Sequence, residues 1–129
     1  MPTKDSGLSK EWIRQHYREY LQTDYWRDVR NRFANSKLGK SGCYACGSHI
    51  DLNLHHKTYK RVGRERLTDL IYLCRDCHGE THSLLKRSTG KRATLWNIAK
   101  RVKRRFERIR KKEANRIKRE ANRWKSQWG

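Results

Sequence analysis

Four cysteines stand in two C-x-x-C pairs, Cys43 with Cys46 and Cys74 with Cys77, and 27 residues separate the pairs. A C-x-x-C turn sets two thiolates on one side of a metal ion. Two such turns complete a tetrahedron of sulfur, the coordination that Zn²⁺ favours. Four thiolates leave no open position, so this zinc is expected to be structural. The rival reading, a redox-active pair, is disfavoured because two matched pairs flank one short module without a thioredoxin-like βαβ pattern. His55, His56, Asp69, His78 and His82 are interleaved with the cysteines. On a helix, His78 and His82 fall at i and i+4, so both imidazoles project from one face and can share a metal. A third ligand is then expected from His55 or His56. Neighbours on a strand point to opposite faces, which leaves the other histidine for a different task. Surface histidines, or extra ligands for the zinc turn, are the plain alternative. Four imidazoles clustered on a four-cysteine scaffold favour a second, open metal site.

The elements that must position these groups form a small centre between helical flanks. The chain has 129 residues, of which 34% are hydrophobic and 36% charged. That is too polar for a generous core along the whole length, and such centres usually need a metal staple. Three regions are expected: an N-terminal helical extension over 1–42, a metal-stapled core over 43–88, and a basic C-terminal helix over 89–129. Within the first, 1–8 reads as a loose tail. A helix over 9–21 is expected from its Ser9 cap and the stripe Trp12, Ile13, Tyr17, Tyr20 and Leu21. A second, over 24–37, presents Trp26, Val29 and Phe33, with Arg30 and Ala34 at the edge of that face. In the core, 52–59 is expected to be a strand, 67–73 an apolar segment, and 76–86 a short helix. A long helix over 93–124 contains neither Gly nor Pro. Leu95, Ile98, Val102, Phe106, Ile109, Ile117, Ala121 and Trp124 make an irregular apolar stripe along it. The expected class is α+β, mostly helical.

The formal net charge is +20. Solubility alone asks for a magnitude of about 2–8 in a small domain. Lysine and arginine in this excess neutralise phosphates and release counterions, so nucleic acid is the expected partner. The N-terminus lacks an apolar signal region and no apolar run is long enough to span a bilayer, so a soluble, cytoplasmic protein without a membrane partner is expected.

The stretch Leu-His55-His56-Lys-Thr-Tyr, followed by Asp69-Leu-Ile-Tyr-Leu-Cys74-Arg-Asp-Cys77-His78-Gly-Glu-Thr-His82, resembles the HNH, or ββα-metal, nucleases. It looks most like the compact zinc-stapled form common in bacteriophages. The resemblance covers about residues 17–86. It implies a ββα-metal core in which His55, His78 and His82 hold one catalytic divalent ion and His56 is the general base. Asp69 stands where the motif usually has Asn. Asn both donates and accepts hydrogen bonds, whereas an ionised Asp only accepts, so Asp69 is expected to brace the loop by accepting from N–H groups or to orient an imidazole.

The implied chemistry is hydrolysis of a DNA phosphodiester, leaving 5′-phosphate and 3′-hydroxyl ends. Imidazole titrates at about 6.5, so a neutral His56 can take a proton from water. Imidazole ligands accept Mn²⁺, Ni²⁺, Co²⁺ or Zn²⁺ readily and Mg²⁺ less so. Lys57, Lys60, Arg61, Arg64 and Arg66 surround the expected base and are candidate phosphate contacts. Lys103, Arg104, Arg105 and Arg108 on the long helix are candidates for sequence-independent binding of double-stranded DNA. The resemblance also implies a phage protein in the host cytoplasm, with terminase subunits among candidate partners in genome packaging. A monomer or weak homodimer is expected. The competing reading is a non-catalytic, zinc-dependent DNA-binding protein whose histidines only shape the fold.

Overall fold

The computed structural model describes residues 10–91 and 93–128, apart from the side chains of Lys10 and Ile13. The expected tail over 1–8, the Ser9 cap and the place of Ile13 in its stripe lie outside the described residues. The elements run α1 (Lys10–Tyr20), α2 (Asp24–Ala34), α3 (Lys37–Lys40), β1 (Leu52–His56), β2 (Leu70–Cys74), α4 (Arg75–Arg87) and α5 (Leu95–Trp128). A single 3-10 turn, Leu67–Asp69, precedes β2. The architecture is mostly helical with one small sheet, compatible with the α+β class.

The two strands pair antiparallel, with His55 opposite Ile71 and His56 opposite Leu70. Side chains alternate across a strand, so consecutive residues belong to different layers. Leu54, His56, Leu70 and Tyr72 face α1 and α2, where Tyr20, Trp26, Val29 and Phe33 form one buried cluster with Val62. Ile71 and Leu73 face the other way, into a cluster with the cysteines and with Ala99 and Val102 of α5. The sheet thus separates two cores, and adjacent residues of β1 serve different ones.

Local chemistry explains the boundaries. Thr23 starts α2 by accepting the Trp26 N–H at 3.2 Å. Trp26, Val29 and Phe33 are buried as expected from their spacing, while Arg30 and Ala34 are exposed. The second helix was expected to run to 37, but it stops at Ala34. Ser36 caps the next turn by accepting the Gly39 N–H at 3.2 Å. The chain folds back so closely that a Cβ on Gly39 would sit 2.1 Å from the Phe33 carbonyl oxygen, which only glycine avoids. At the other end, α5 passes the expected stop at 124 because no Gly or Pro interrupts it before residue 129.

At about 1.5 Å per residue, the 34 residues of α5 extend roughly 50 Å. Its first turns bury Ile98, Ala99 and Val102. From 107 onward every described position is exposed, so Ile109, Ile117 and Trp124 of the expected stripe do not pack on the body. No described helix is long and apolar enough to cross a membrane.

Candidate metal centres and catalytic site

The cysteines are brought together by a turn and a helix start. The Gly47 N–H donates to the Cys43 carbonyl at 2.9 Å, and the Cys43 N–H donates to the Ser48 carbonyl at 2.8 Å. Gly47 takes a φ of +79°, the left-handed conformation that lets this turn close. On the other side, Cys74 ends β2 and caps α4, its sulfur accepting the Cys77 N–H at 3.5 Å. The four sulfurs all lie within 4.8 Å of one another. Cys46 Sγ and Cys74 Sγ are 3.7 Å apart. A tetrahedron with Zn–S bonds of about 2.3 Å has edges of about 3.8 Å, so the spacing fits a tetrahedral ion. All four cysteines are free of disulfides. The group can hold a metal ion such as zinc.

His55, His78 and His82 form a second constellation. The His55 and His78 ring centres are 4.3 Å apart, and those of His78 and His82 are 4.4 Å apart. Their nitrogens do not close on one point as the sulfurs do, since the cysteines are the tight ligand group among the described residues. His55 Nε2 is buried with no hydrogen-bond partner. An orphaned acceptor of that kind is costly in a protein interior, and a cation would satisfy it. Burial, with the neighbouring imidazoles, pushes the His55 ring down to about 4. Burial pushes His78 in the same direction. Both are therefore neutral at physiological pH, the form that binds a metal. Neutral imidazole is a donor type that divalent ions accept, but among the described residues only the cysteines close into a ligand group. Cys77 and His78 are adjacent, so the sulfur site fixes the first turn of the helix that carries two of the imidazoles.

His56 is not in this constellation. Only 3% of it is exposed, on the layer facing α1 and α2. Its ring stacks on Trp26 at 4.9 Å. The Tyr17 hydroxyl lies 2.9 Å from Nδ1, and Glu65 Oε2 lies 3.4 Å from Nε2. Burial pushes the Tyr17 phenol up, so the hydroxyl keeps its proton. With the Glu65 carboxylate facing Nε2, we assign the ring proton to Nε2, which leaves Nδ1 to accept from the Tyr17 O–H. A general base must offer a lone pair to water. That of His56 is occupied by Tyr17.

Sequence reasoning missed Glu65. It accepts from the Tyr20 hydroxyl and from the Gly63 N–H, both at 2.5 Å, and is buried. Burial raises its carboxyl, but His56 and Tyr20 outweigh that and hold it below the ordinary range. A glutamate inside a run of four basic residues reads as a loop charge, and only the folded loop turns it inward.

Asp69 contacts neither imidazole. It takes a two-point contact from Arg61, at 2.8 and 2.5 Å, and accepts the Arg66 N–H at 3.0 Å. Asp69 thus acts as an acceptor, bracing the loop through Arg61 and the Arg66 N–H. It also commits the Arg61 guanidinium, a candidate DNA contact, to an internal ion pair. Asp69 is 4% exposed, and the Arg61 pair holds its carboxyl below the ordinary range.

Asp69 and Glu65 are both more acidic folded than an unfolded carboxyl would be. Each adds stability that is fully present above the ordinary carboxylate range and is lost as pH falls through the lower range of the folded group. The melting temperature is expected to drop as pH falls below about 5. Asp69→Asn should cost about 1–3 kcal/mol at neutral pH, because it leaves Arg61 and the Arg66 N–H without their charged acceptor. It should also flatten part of the acid slope, as melting curves across that range would show. An unchanged slope would remove Asp69 from this account.

Of the other candidate DNA contacts, Lys60 and Arg64 are exposed on the loop, and Arg66 is exposed as well. Lys57 Nζ lies over the Trp96 ring and Lys103 Nζ over the Tyr44 ring. Arg105 is paired with Glu80 of α4. Arg104 and Arg108 are exposed on α5. Comparison with family models, with curated proteins and with solved structures finds no match to this chain.

Proposed function

We propose that the chain is a metal-dependent DNA endonuclease of the HNH type, with a ββα-metal core stapled by zinc at the four cysteines. The observation that carries the reading is the trio His55, His78 and His82, with an orphaned buried nitrogen, set on a strand and on a helix whose first turn holds Cys77. Two buried ring nitrogens lack a hydrogen-bond partner: the one on His55 belongs to a ring that lies against His78, whereas the one on His56 lies 3.4 Å from the Glu65 carboxylate, and only the first has further imidazoles beside it.

In this reading the three imidazoles hold one divalent ion, which supplies charge relief at the phosphate and at the leaving oxygen. The chain's own residues do the rest. Cys74 and Cys77 fix the start of α4 and so the position of His78. Asp69 and Arg61 hold the loop between the strands. Lys60, Arg64 and the exposed cations of α5 attract the phosphate backbone. His56 is the base that the resemblance implies, and it can serve only once the Tyr17 hydroxyl leaves Nδ1 as DNA binds. A phage origin and a role beside terminase subunits in packaging belong to the same proposal.

Supercoiled plasmid offers the test. The zinc-loaded chain should nick it when Mn²⁺ is supplied and not without it. His56→Ala is a poor probe of the base, because it would open a cavity beside Trp26 and leave Glu65 buried without its partner, at a cost of about 2–5 kcal/mol. His56→Gln keeps more of the volume and should abolish nicking in folded protein. Tyr17→Phe removes the competing hydroxyl and should keep or raise nicking. Loss of nicking in Tyr17→Phe, or full nicking in His56→Gln, would take the base role from His56.

A further inference from the structure

Two aromatic rings and three lysines meet where the zinc turn touches α5. Tyr44, between the first two cysteines, lies 5.0 Å from Trp96 on α5, the rings tilted by 50°. Lys57 Nζ is 4.5 Å and Lys100 Nζ 5.1 Å from the centre of the Trp96 ring, and Lys103 Nζ is 4.4 Å from that of Tyr44. Both rings are partly exposed. None of the three lysines is in an ion pair among the described residues. Ring faces attract ammonium groups, but three of them around one ring pair repel each other, and an anion relieves that.

A groove of about 400 Å³ opens beside Tyr44. Tyr44, Ile71 and Tyr72 line it with apolar surface, and Lys57, Lys103 and Arg110 bring positive charge to it. Glu107 lines it as well, the one acidic group there. Its size is in the range of pockets that take small planar ligands. The Lys57 N–H donates to the Asp69 carbonyl at 2.7 Å, carrying the β1–β2 pairing one residue further. Alternation then puts Lys57 on the His55 side of the sheet. Lys57 is thus on the layer of the imidazole trio, while the groove it lines draws its other walls from both layers of the sheet.

We propose that Tyr44 and Trp96, ringed by Lys57, Lys100 and Lys103, form a seat for an unpaired nucleobase and its flanking phosphates, so that the protein prefers DNA with a locally single-stranded segment over intact duplex. Every base has a face that stacks on an aromatic ring, and a base entering here would displace a lysine ammonium from a ring face onto its flanking phosphate, whereas an intact duplex hides those base faces and offers only its backbone. Intact duplex is then left to the exposed cations of α5. This inference deepens the nuclease reading by naming the form of DNA that the site takes.

Fluorescence anisotropy on the full chain, without added Mn²⁺ so that nothing is cut, tests it. The probes are a labelled 20-nucleotide oligo-dT, a duplex of equal length, and that duplex with a three-nucleotide bulge, all at one salt concentration. The single strand and the bulged duplex should bind about tenfold more tightly than the intact duplex. Tyr44→Leu should lose about that factor for the first two and stay within about twofold for the duplex, while Tyr44→Phe keeps the preference. Equal affinity for all three probes, an equal loss across them in Tyr44→Leu, or no binding at all would overturn the seat. Plasmid nicking without this preference defeats the seat alone. The preference without nicking under any divalent ion defeats the nuclease reading alone.

Discussion

Replacing His78 with alanine is expected to abolish metal-dependent nicking, by roughly a thousandfold or more, while leaving the chain folded. His78 is the middle member of the trio, in ring contact with both His55 and His82. A metal that stabilises charge in the transition state contributes several kcal/mol, and about 4 kcal/mol corresponds to three orders of magnitude in rate. Losing one of three imidazoles forfeits most of that, because the ion binds weakly and is misplaced. The fold should tolerate the change. His78 is partly exposed and its ring contacts are the other two imidazoles, so no aliphatic core packing is lost. Single-turnover nicking of supercoiled plasmid, with melting curves on the same samples, checks both halves. Wild-type nicking by His78→Ala would remove the trio from catalysis.

The second large effect concerns the sulfur site. Removing zinc, or making Cys77→Ser, is expected to unfold the centre. Cys77 is 1% exposed and sits in the cluster that joins the sheet to α5. Structural zinc binds with an apparent free energy of about 10–16 kcal/mol, while a whole domain of this size is stable by about 5–15 kcal/mol. The cluster around the cysteines is small, with Ala45, Ile71, Leu73, Ala99 and Val102 as its other buried members. It cannot replace that contribution. Near-ultraviolet circular dichroism should lose the signals of the packed Trp26 and Trp96 on stripping, and thiol titration should then find four reactive cysteines. Retention of those signals and of the melting temperature without zinc would show that the sulfurs are dispensable.

Much of the centre is legible in the sequence. Spacing alone paired Cys43-x-x-Cys46 with Cys74-x-x-Cys77, because two short turns of the same kind make one tetrahedral set. The i, i+4 spacing of His78 and His82 put them on one helix face, and strand alternation sent His55 and His56 to opposite sides. Which side was buried could not be read. That depended on α1 and α2 closing over the sheet, a long-range packing that local periodicity does not carry. His56 therefore turned out to be an interior residue with Tyr17, Trp26 and Glu65 around it.

The loop between the strands was the least legible part. Lys60, Arg61, Arg64 and Arg66 look alike in composition, yet Arg61 turns inward to Asp69 while the others are exposed. The long helix was legible in kind but not in contact. Its apolar residues suggested packing along its length, whereas the structure buries only Ile98, Ala99 and Val102 and leaves Trp124 63% exposed. The number of apolar side chains per turn falls after Phe106 while the cations crowd in, and a helix so charged on every side has no face dry enough to bury.

The central claim is that the histidines hold a second divalent ion, separate from the sulfur-bound zinc, and that this ion cuts DNA. Titration of Mn²⁺ into the zinc-loaded chain, with zinc content and plasmid nicking followed together, tests it most directly. The account predicts that nicking rises and saturates with Mn²⁺ while one zinc per chain stays bound, and that His78→Ala shows no rise. Nicking that is absent at every Mn²⁺ concentration, or that tracks loss of zinc from the cysteines, would contradict it.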